Sequence, residues 1–351
     1  MAGDAPCGSC CAADGRNSGG SFVDTIHTVT GSVAISQLGL TLVHEHLLIG
    51  YPGWWMDARA PRFVRTEVLA RAVDKLAELR ELGVRTLVDP CPMDLGRDVE
   101  LMAEVASRSH VNIVCATGAY KEEHGISYTF GALPVEEIAA IYVQELTRGI
   151  GDTGICAGLV KVATGAPQIS AYEQKLLQAG GLAAAQVGCP VLTHTDHASL
   201  GMEQLEALIA AGVPAHRIMV GHCDGRPDFP YHQGLADRGA YLGFDRFGLT
   251  FLQPDEVRME SVMQLVKAGY LRSLFLSHDA ICGSWLGRPS FDGKEVILPA
   301  QLEQLQPDWQ PTHLFKNILP KLRAQGLTRE QERTLFVDNP ARYFAGEEPP
   351  R

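Results

Sequence analysis

The chain has 351 residues, of which 46% are hydrophobic and 20% charged, with a formal net charge of −11. This is ordinary globular composition, long enough for one large domain, and its acidic balance argues against a nucleic-acid or anionic-membrane partner. No apolar run reaches the roughly 18 residues of a membrane-spanning helix.

Residues 1–22 are rich in Gly, Ala, Ser and Asp and lack both a basic n-region and an apolar h-region. They read as a flexible tail rather than a secretory signal, ahead of a single domain over residues 23–347. Cys7, Cys10 and Cys11 cluster there without a second ligand pair nearby, as a metal knuckle requires. The other cysteines, Cys91, Cys115, Cys156, Cys189, Cys223 and Cys282, are scattered in mostly apolar contexts and read as reduced thiols of a cytoplasmic protein.

Residues 25–30 alternate and are rich in β-branched types, predicting a short hairpin that caps the bottom of a barrel. Residues 38–46 predict a first strand, apolar up to Val43. The following loop carries Tyr51, Trp54 and Trp55, aromatic residues suited to a dimer surface or a pocket wall. Thr66 is expected to cap a helix with Leu69, Val73, Leu76 and Leu79 at helical spacing. Further strands are predicted over residues 86–89, 111–117, 159–163, 190–194, 217–222, 240–245 and 273–279. Helices are predicted between them, including 98–107, 135–148, 170–187 (loosened at Gly180 and Gly181) and 202–211. Eight apolar strands alternating with helices predict a parallel sheet closed as a (β/α)8 TIM barrel.

Catalytic residues of such barrels sit at the C-terminal ends of the strands. Those ends carry His44, His46, Lys161, His194, His222 and Asp279. His44 and His46 fall on one face of a strand, because strand side chains alternate with period two. A lysine flanked by Val160 and Val162 is costly as a buried, unpaired cation. Carboxylation by CO2 converts it into an anion with two oxygens; a plain Lys161–Asp279 ion pair is the alternative.

The set predicts a binuclear centre. His44, His46 and Asp279 take one divalent ion, His194 and His222 take a second, and carboxylated Lys161 and a water bridge them. Zn comes first, with Co, Mn and Fe also suited to these ligands. Two such ions about 3.5–4 Å apart acidify the bridging water to hydroxide, and Asp279 then receives its proton and passes it to the leaving group. Hydrolysis of a small-molecule substrate is the natural reaction, and no GxGxxG follows a strand to hold a nicotinamide or flavin.

The motifs Val43-His44-Glu45-His46, Gly158-Leu159-Val160-Lys161, Leu192-Thr193-His194, Val220-Gly221-His222 and Ser277-His278-Asp279 resemble the phosphotriesterase family of the amidohydrolase superfamily. The resemblance covers residues 25–346, and it implies the same barrel and the same assignment of metal ligands. Tyr120 after the third strand and Arg246 after the seventh look like the phosphotriesterase-like lactonases. That branch implies opening of acyl-homoserine or related lactones (quorum quenching), promiscuous organophosphate triesterase activity and a homodimer. Hydrolysis of another ester, amide or phosphoester, including a true phosphotriesterase activity, is the alternative. By the same resemblance Tyr120 and Arg246 are expected to act in catalysis beside Asp279, and Tyr120, Arg246, Trp285 and Ile281 are the expected substrate contacts. The charged loop 121–134 brings His124 within reach of the mouth. The loop 280–293 offers an apolar face, with Gly283, Gly287 and Gly293 for mobility.

Overall fold

The computed structural model of the chain describes residues 24–289 and 297–348. The N-terminal tail, with Cys7, Cys10 and Cys11, and Gly293 lie outside the described residues.

Eight strands form one parallel sheet in chain order: β1 (Leu40–Leu42), β2 (Val84–Asp89), β3 (Asn112–Gly118), β4 (Leu159–Ala163), β5 (Val191–His194), β6 (Ile218–Val220), β7 (Tyr241–Phe244) and β8 (Leu274–Leu276). Helices connect them, and the sheet curls into the expected (β/α)8 barrel. Period-two alternation decides what fills it. Val88, Val114, Ala116, Leu159, Leu192, Met219, Tyr241 and Phe275 share one apolar cluster inside the barrel, and the opposite faces pack against the helices. One step further along the same faces, Lys161 follows Leu159 and His194 follows Leu192. The barrel interior is therefore apolar below and ionisable above.

The bottom is plugged as the sequence predicts. Thr25–Thr28 pairs antiparallel with Gly31–Ala34, and Ile26 joins the interior cluster. Tyr343 and Phe344 of the last helix, Asn339–Ala345, join it as well, and the Tyr343 hydroxyl donates to the Val191 carbonyl at 2.8 Å.

The structure corrects four local expectations. The first strand stops at Leu42, the chain bends through Val43–Glu45, and His46–Ile49 forms a separate strand. That strand pairs in parallel with Ile281–Trp285, so part of the segment after β8 is a strand rather than a mobile loop. Gly283 serves a close approach there, since a Cβ would lie 2.4 Å from the Leu47 carbonyl oxygen. Thr66 is not a cap: the N-cap of the helix Arg65–Glu81 is Val64, two residues earlier, without a side-chain cap. Gly180 and Gly181 do not loosen the helix Ala171–Val187, which runs through them unbroken. A Cβ on Gly180 would sit 2.6 Å from Val162 Cγ1, so glycine lets this helix lie close on β4.

The barrel closes between β8 and β1 without a regular ladder between them. Single hydrogen bonds bridge the seam: His44 N–H to Ser277 Oγ at 3.0 Å, Asp279 N–H to the His44 carbonyl at 3.0 Å, and His46 N–H to the Ala280 carbonyl at 2.8 Å. The seam thus fixes three of the candidate ligands against one another.

Candidate metal centre

The bend at Val43–Glu45 does not separate the two histidines of the first strand. Their rings meet edge to face with centroids 5.2 Å apart. His44 Nε2 lies 3.3 Å and His46 Nε2 3.1 Å from the same Asp279 oxygen, Oδ1. Nitrogens and a carboxylate oxygen of these three residues lie within 4.8 Å of one another. Across the mouth, His222 Nε2 lies 2.9 Å from His194 Nδ1 and 3.8 Å from Asp279 Oδ2.

Each histidine turns one nitrogen to this centre because a carboxylate holds the other. Asp245 takes both His44 Nδ1, at 2.7 Å, and His222 Nδ1, at 2.8 Å. Asp89 takes His46 Nδ1 at 3.0 Å, and Asp196 takes His194 Nε2 at 2.9 Å. Asp196 is in turn gripped by both hydrogen bonds of Lys121, at 2.9 and 2.7 Å. Carboxylate–imidazole pairs of this kind fix the tautomer and aim of metal-binding histidines. The opposing carboxylate on each imidazole and the shared Asp279 make the donor set fit two divalent ions.

Burial sets the charges. Burial pulls the His222 imidazole down to about 4 against the pull of Asp245, and His194 falls well below its ordinary value for the same reason. His46 moves the other way: its hydrogen bonds to Asp279 and Asp89 outweigh burial. Asp279, against burial, is held well below the usual carboxylate range by His44 and His46. Lys161 is 2% exposed, and burial brings its ammonium down to about 8. Its one hydrogen bond is long, 3.4 Å to the Thr193 carbonyl, and among the described residues no carboxylate comes within salt-bridge distance. The Lys161–Asp279 pair is therefore not formed. The carboxylate of Asp279 instead receives Arg246 Nε at 3.1 Å.

Two of these residues hold a left-handed backbone. His222 and Asp279 have φ of +58° and +55°, a left-handed conformation uncommon outside glycine and one that collects at functional sites.

Of the other expected contacts, Tyr120, Arg246 and Trp285 line the same cavity as the six candidate ligands, together with Tyr51, His124, Leu249, Leu252 and Trp309. The Tyr120 hydroxyl stands 3.2 Å from His194 Nδ1, in contact with the centre itself. Ile281 is not brought into this cavity: it pairs with His46 along the neighbouring strand and lines an adjacent cleft with Arg71, Lys75 and Leu302.

Sequence reasoning missed the carboxylates that orient the histidines. Asp89 ends β2, Asp245 directly follows β7, and Asp196 comes two residues after β5. An acidic residue at or just past a strand's C-terminal end was the available signal. It also missed Glu45, which accepts from the His278 N–H at 3.0 Å, from the His278 ring at 2.6 Å and from the Ala280 N–H at 3.0 Å, tying the bend to the segment after β8.

Comparison with known proteins gives a consistent result. The Phosphotriesterase family model matches residues 24–344. A phosphotriesterase homology protein from Mycobacterium tuberculosis is 34% identical over 336 residues, covering 91% of this chain and 97% of that one. The solved organophosphorus hydrolase from Deinococcus radiodurans is 38% identical with a TM-score of 0.86, covering 95% of this chain and 100% of that one. A mutant of a PTE-like lactonase from the same organism is 37% identical with a TM-score of 0.84, covering 91% of this chain and 100% of that one.

Proposed function

Because the chain belongs to the phosphotriesterase family, whose members are metal-dependent hydrolases, we propose that this enzyme is a lactonase that opens acyl-homoserine or related lactones and hydrolyses organophosphate triesters as a side activity. The observation that carries this reading is the pair Tyr120 and Arg246. The first stands against His194 and the second against Asp279, so a phenol and a guanidinium flank the reacting centre from the strand-3 and strand-7 loops. The similarity to a PTE-like lactonase supports it.

His44, His46 and Asp279 would hold one divalent ion and His194 and His222 the second, with Lys161 shared between them. Two such ions supply an acidified water and a Lewis acid for the carbonyl or phosphoryl oxygen. The chain does the rest. Lys161 in its neutral form adds to CO2, forming an N–C bond and losing a proton, and the resulting carbamate places an anion among four imidazoles. Asp279 is ionised and takes the proton of the attacking water. It returns that proton to the alkoxide as the ring C–O bond breaks. Arg246 holds Asp279 in place for this transfer, and the Tyr120 hydroxyl donates to the lactone ring oxygen.

The same chemistry reaches phosphotriesters because the charge that develops at carbon or phosphorus meets the same groups. The reading extends to a homodimer in the cytoplasm. Support comes from Trp55, which is 64% exposed in the loop after the first strand pair, and from the absence of any disulfide among the described cysteines. None of the described helices is long and apolar enough to cross a membrane.

Exchanging Arg246 for histidine tests the assignment. The ratio of kcat/KM on an acyl-homoserine lactone to that on an aryl dialkyl phosphotriester should fall by about tenfold, with bound metal unchanged by elemental analysis. An unchanged ratio would remove Arg246 from the substrate site.

A further inference from the structure

The strand-3 loop carries an imidazole that the proposed chemistry leaves unused. His124 closes a short 3-10 turn, Glu122–His124, and forms part of the cavity wall with Tyr51, Tyr120 and Arg246. Its ring stacks on Tyr51, with centroids 4.3 Å apart and planes 27° apart, and meets the edge of Tyr120 at 5.2 Å. Tyr120 in turn touches His194, so His124 stands one ring removed from the candidate ligands.

Three features separate His124 from an ordinary packed histidine. First, its Nδ1 is buried without a hydrogen-bond partner among the described residues, a condition that is costly unless something completes it. Second, the loop that carries it is pinned on both sides. Lys121 is fixed on Asp196, the Glu122 N–H donates to Glu173 Oε1 at 3.2 Å, and the Ser127 N–H donates to the Tyr172 hydroxyl at 3.3 Å. A loop pinned in this way, with the ring stacked on Tyr51, presents a preorganised imidazole. Third, burial and then Lys121 bring the imidazole down to about 4, so at neutral pH it carries one N–H donor and one acceptor nitrogen.

We infer that His124 is a specificity residue whose imidazole hydrogen-bonds a polar substituent, an amide above all, carried on the substrate beside the scissile ester. An amide offers both an N–H and a carbonyl, so it satisfies a neutral imidazole in either tautomer. A hydrocarbon arm in the same place leaves the ring nitrogen unpaired in a site from which water has been displaced, and discrimination follows from that loss. Arg246, placed against Asp279, is already engaged at the reacting centre, so the neutral imidazole reads the arm. The inference rests on the lactonase reading and adds to it the residue that recognises the acyl arm.

The test compares two lactones of one ring size on the metal-replete enzyme: N-hexanoyl homoserine lactone and a γ-butyrolactone bearing an alkyl chain of the same length at the same carbon. His124→Phe keeps the stack on Tyr51 and removes the hydrogen bond. His124→Gln keeps a donor and an acceptor. In the wild type the amide-bearing lactone is preferred. In His124→Phe the ratio of the two kcat/KM values falls by about fivefold to tenfold, the size of one hydrogen bond, and in His124→Gln part of it returns. A merely structural role would lower both rates together and leave the ratio in place, and that result overturns the inference while the lactonase reading stands. If the wild type opens neither lactone, the inference and the lactonase reading fall together.

Discussion

Lys161→Ala lowers kcat/KM on every substrate by about a thousandfold, roughly 4 kcal/mol of transition-state stabilisation, and millimolar propionate restores part of it. The expectation follows from the position of the lysine. It lies on the interior face of β4, one step above Leu159, in the wall of the cavity that holds His44, His46, His194 and His222, and no carboxylate of the described residues comes within salt-bridge distance of it. As a cation it is costly there; as the proposed carbamate it would supply an anion for the imidazoles and two divalent ions. A short carboxylic acid entering the space left by the truncated side chain supplies the same two oxygens. Intact-mass or crystallographic analysis of the wild type should find Lys161 heavier by one CO2. An unmodified lysine together with no rescue would leave its burial without a chemical account.

His222→Asn has the second large effect. It removes one candidate ligand and at the same time breaks the 2.8 Å bond to Asp245, which also orients His44. Loss of one ligand reaches the other ion through that shared carboxylate. Bound metal should fall from about two ions per chain to one or fewer. Activity should fall with it, by about a hundredfold or more, since an orienting partner alone is worth about 10–100-fold. His194→Asn should behave similarly but leave Asp245 and His44 in register, so its metal loss stays confined to one ion. Elemental analysis beside kinetics separates the two variants. Full metal content with full activity in either one would contradict the ligand assignment.

The strand ends were legible in the sequence because strand geometry is local. Period two puts Leu159 and Lys161, or Leu192 and His194, on one face whatever the rest of the chain does. The same locality explains what was missed. Nothing near Leu42 marks the bend that splits the first strand, because the bend is imposed by the seam to Ser277, Asp279 and Ala280, more than two hundred residues away. Ile281 looked like a pocket residue for its apolar type, but its neighbour His46 is found only by folding the barrel shut. Gly180 illustrates the same limit, since its lack of a side chain reports the closeness of β4 rather than a weak point in a helix. The orienting carboxylates are pairwise facts of the same kind: Asp245 looks ordinary until His44 and His222 are placed on either side of it.

The most direct test of the central claim is kcat/KM of metal-replete protein on a long-chain acyl-homoserine lactone and on an aryl dialkyl phosphotriester, measured side by side. The lactone should win by about two orders of magnitude or more, since on the proposed reading Tyr120 and Arg246 would serve ring opening while the triester would use only the shared charge stabilisation. A triester rate equal to or above the lactone rate, or no turnover of the lactone at all, would contradict the lactonase assignment and leave a metal-dependent hydrolase with a different substrate.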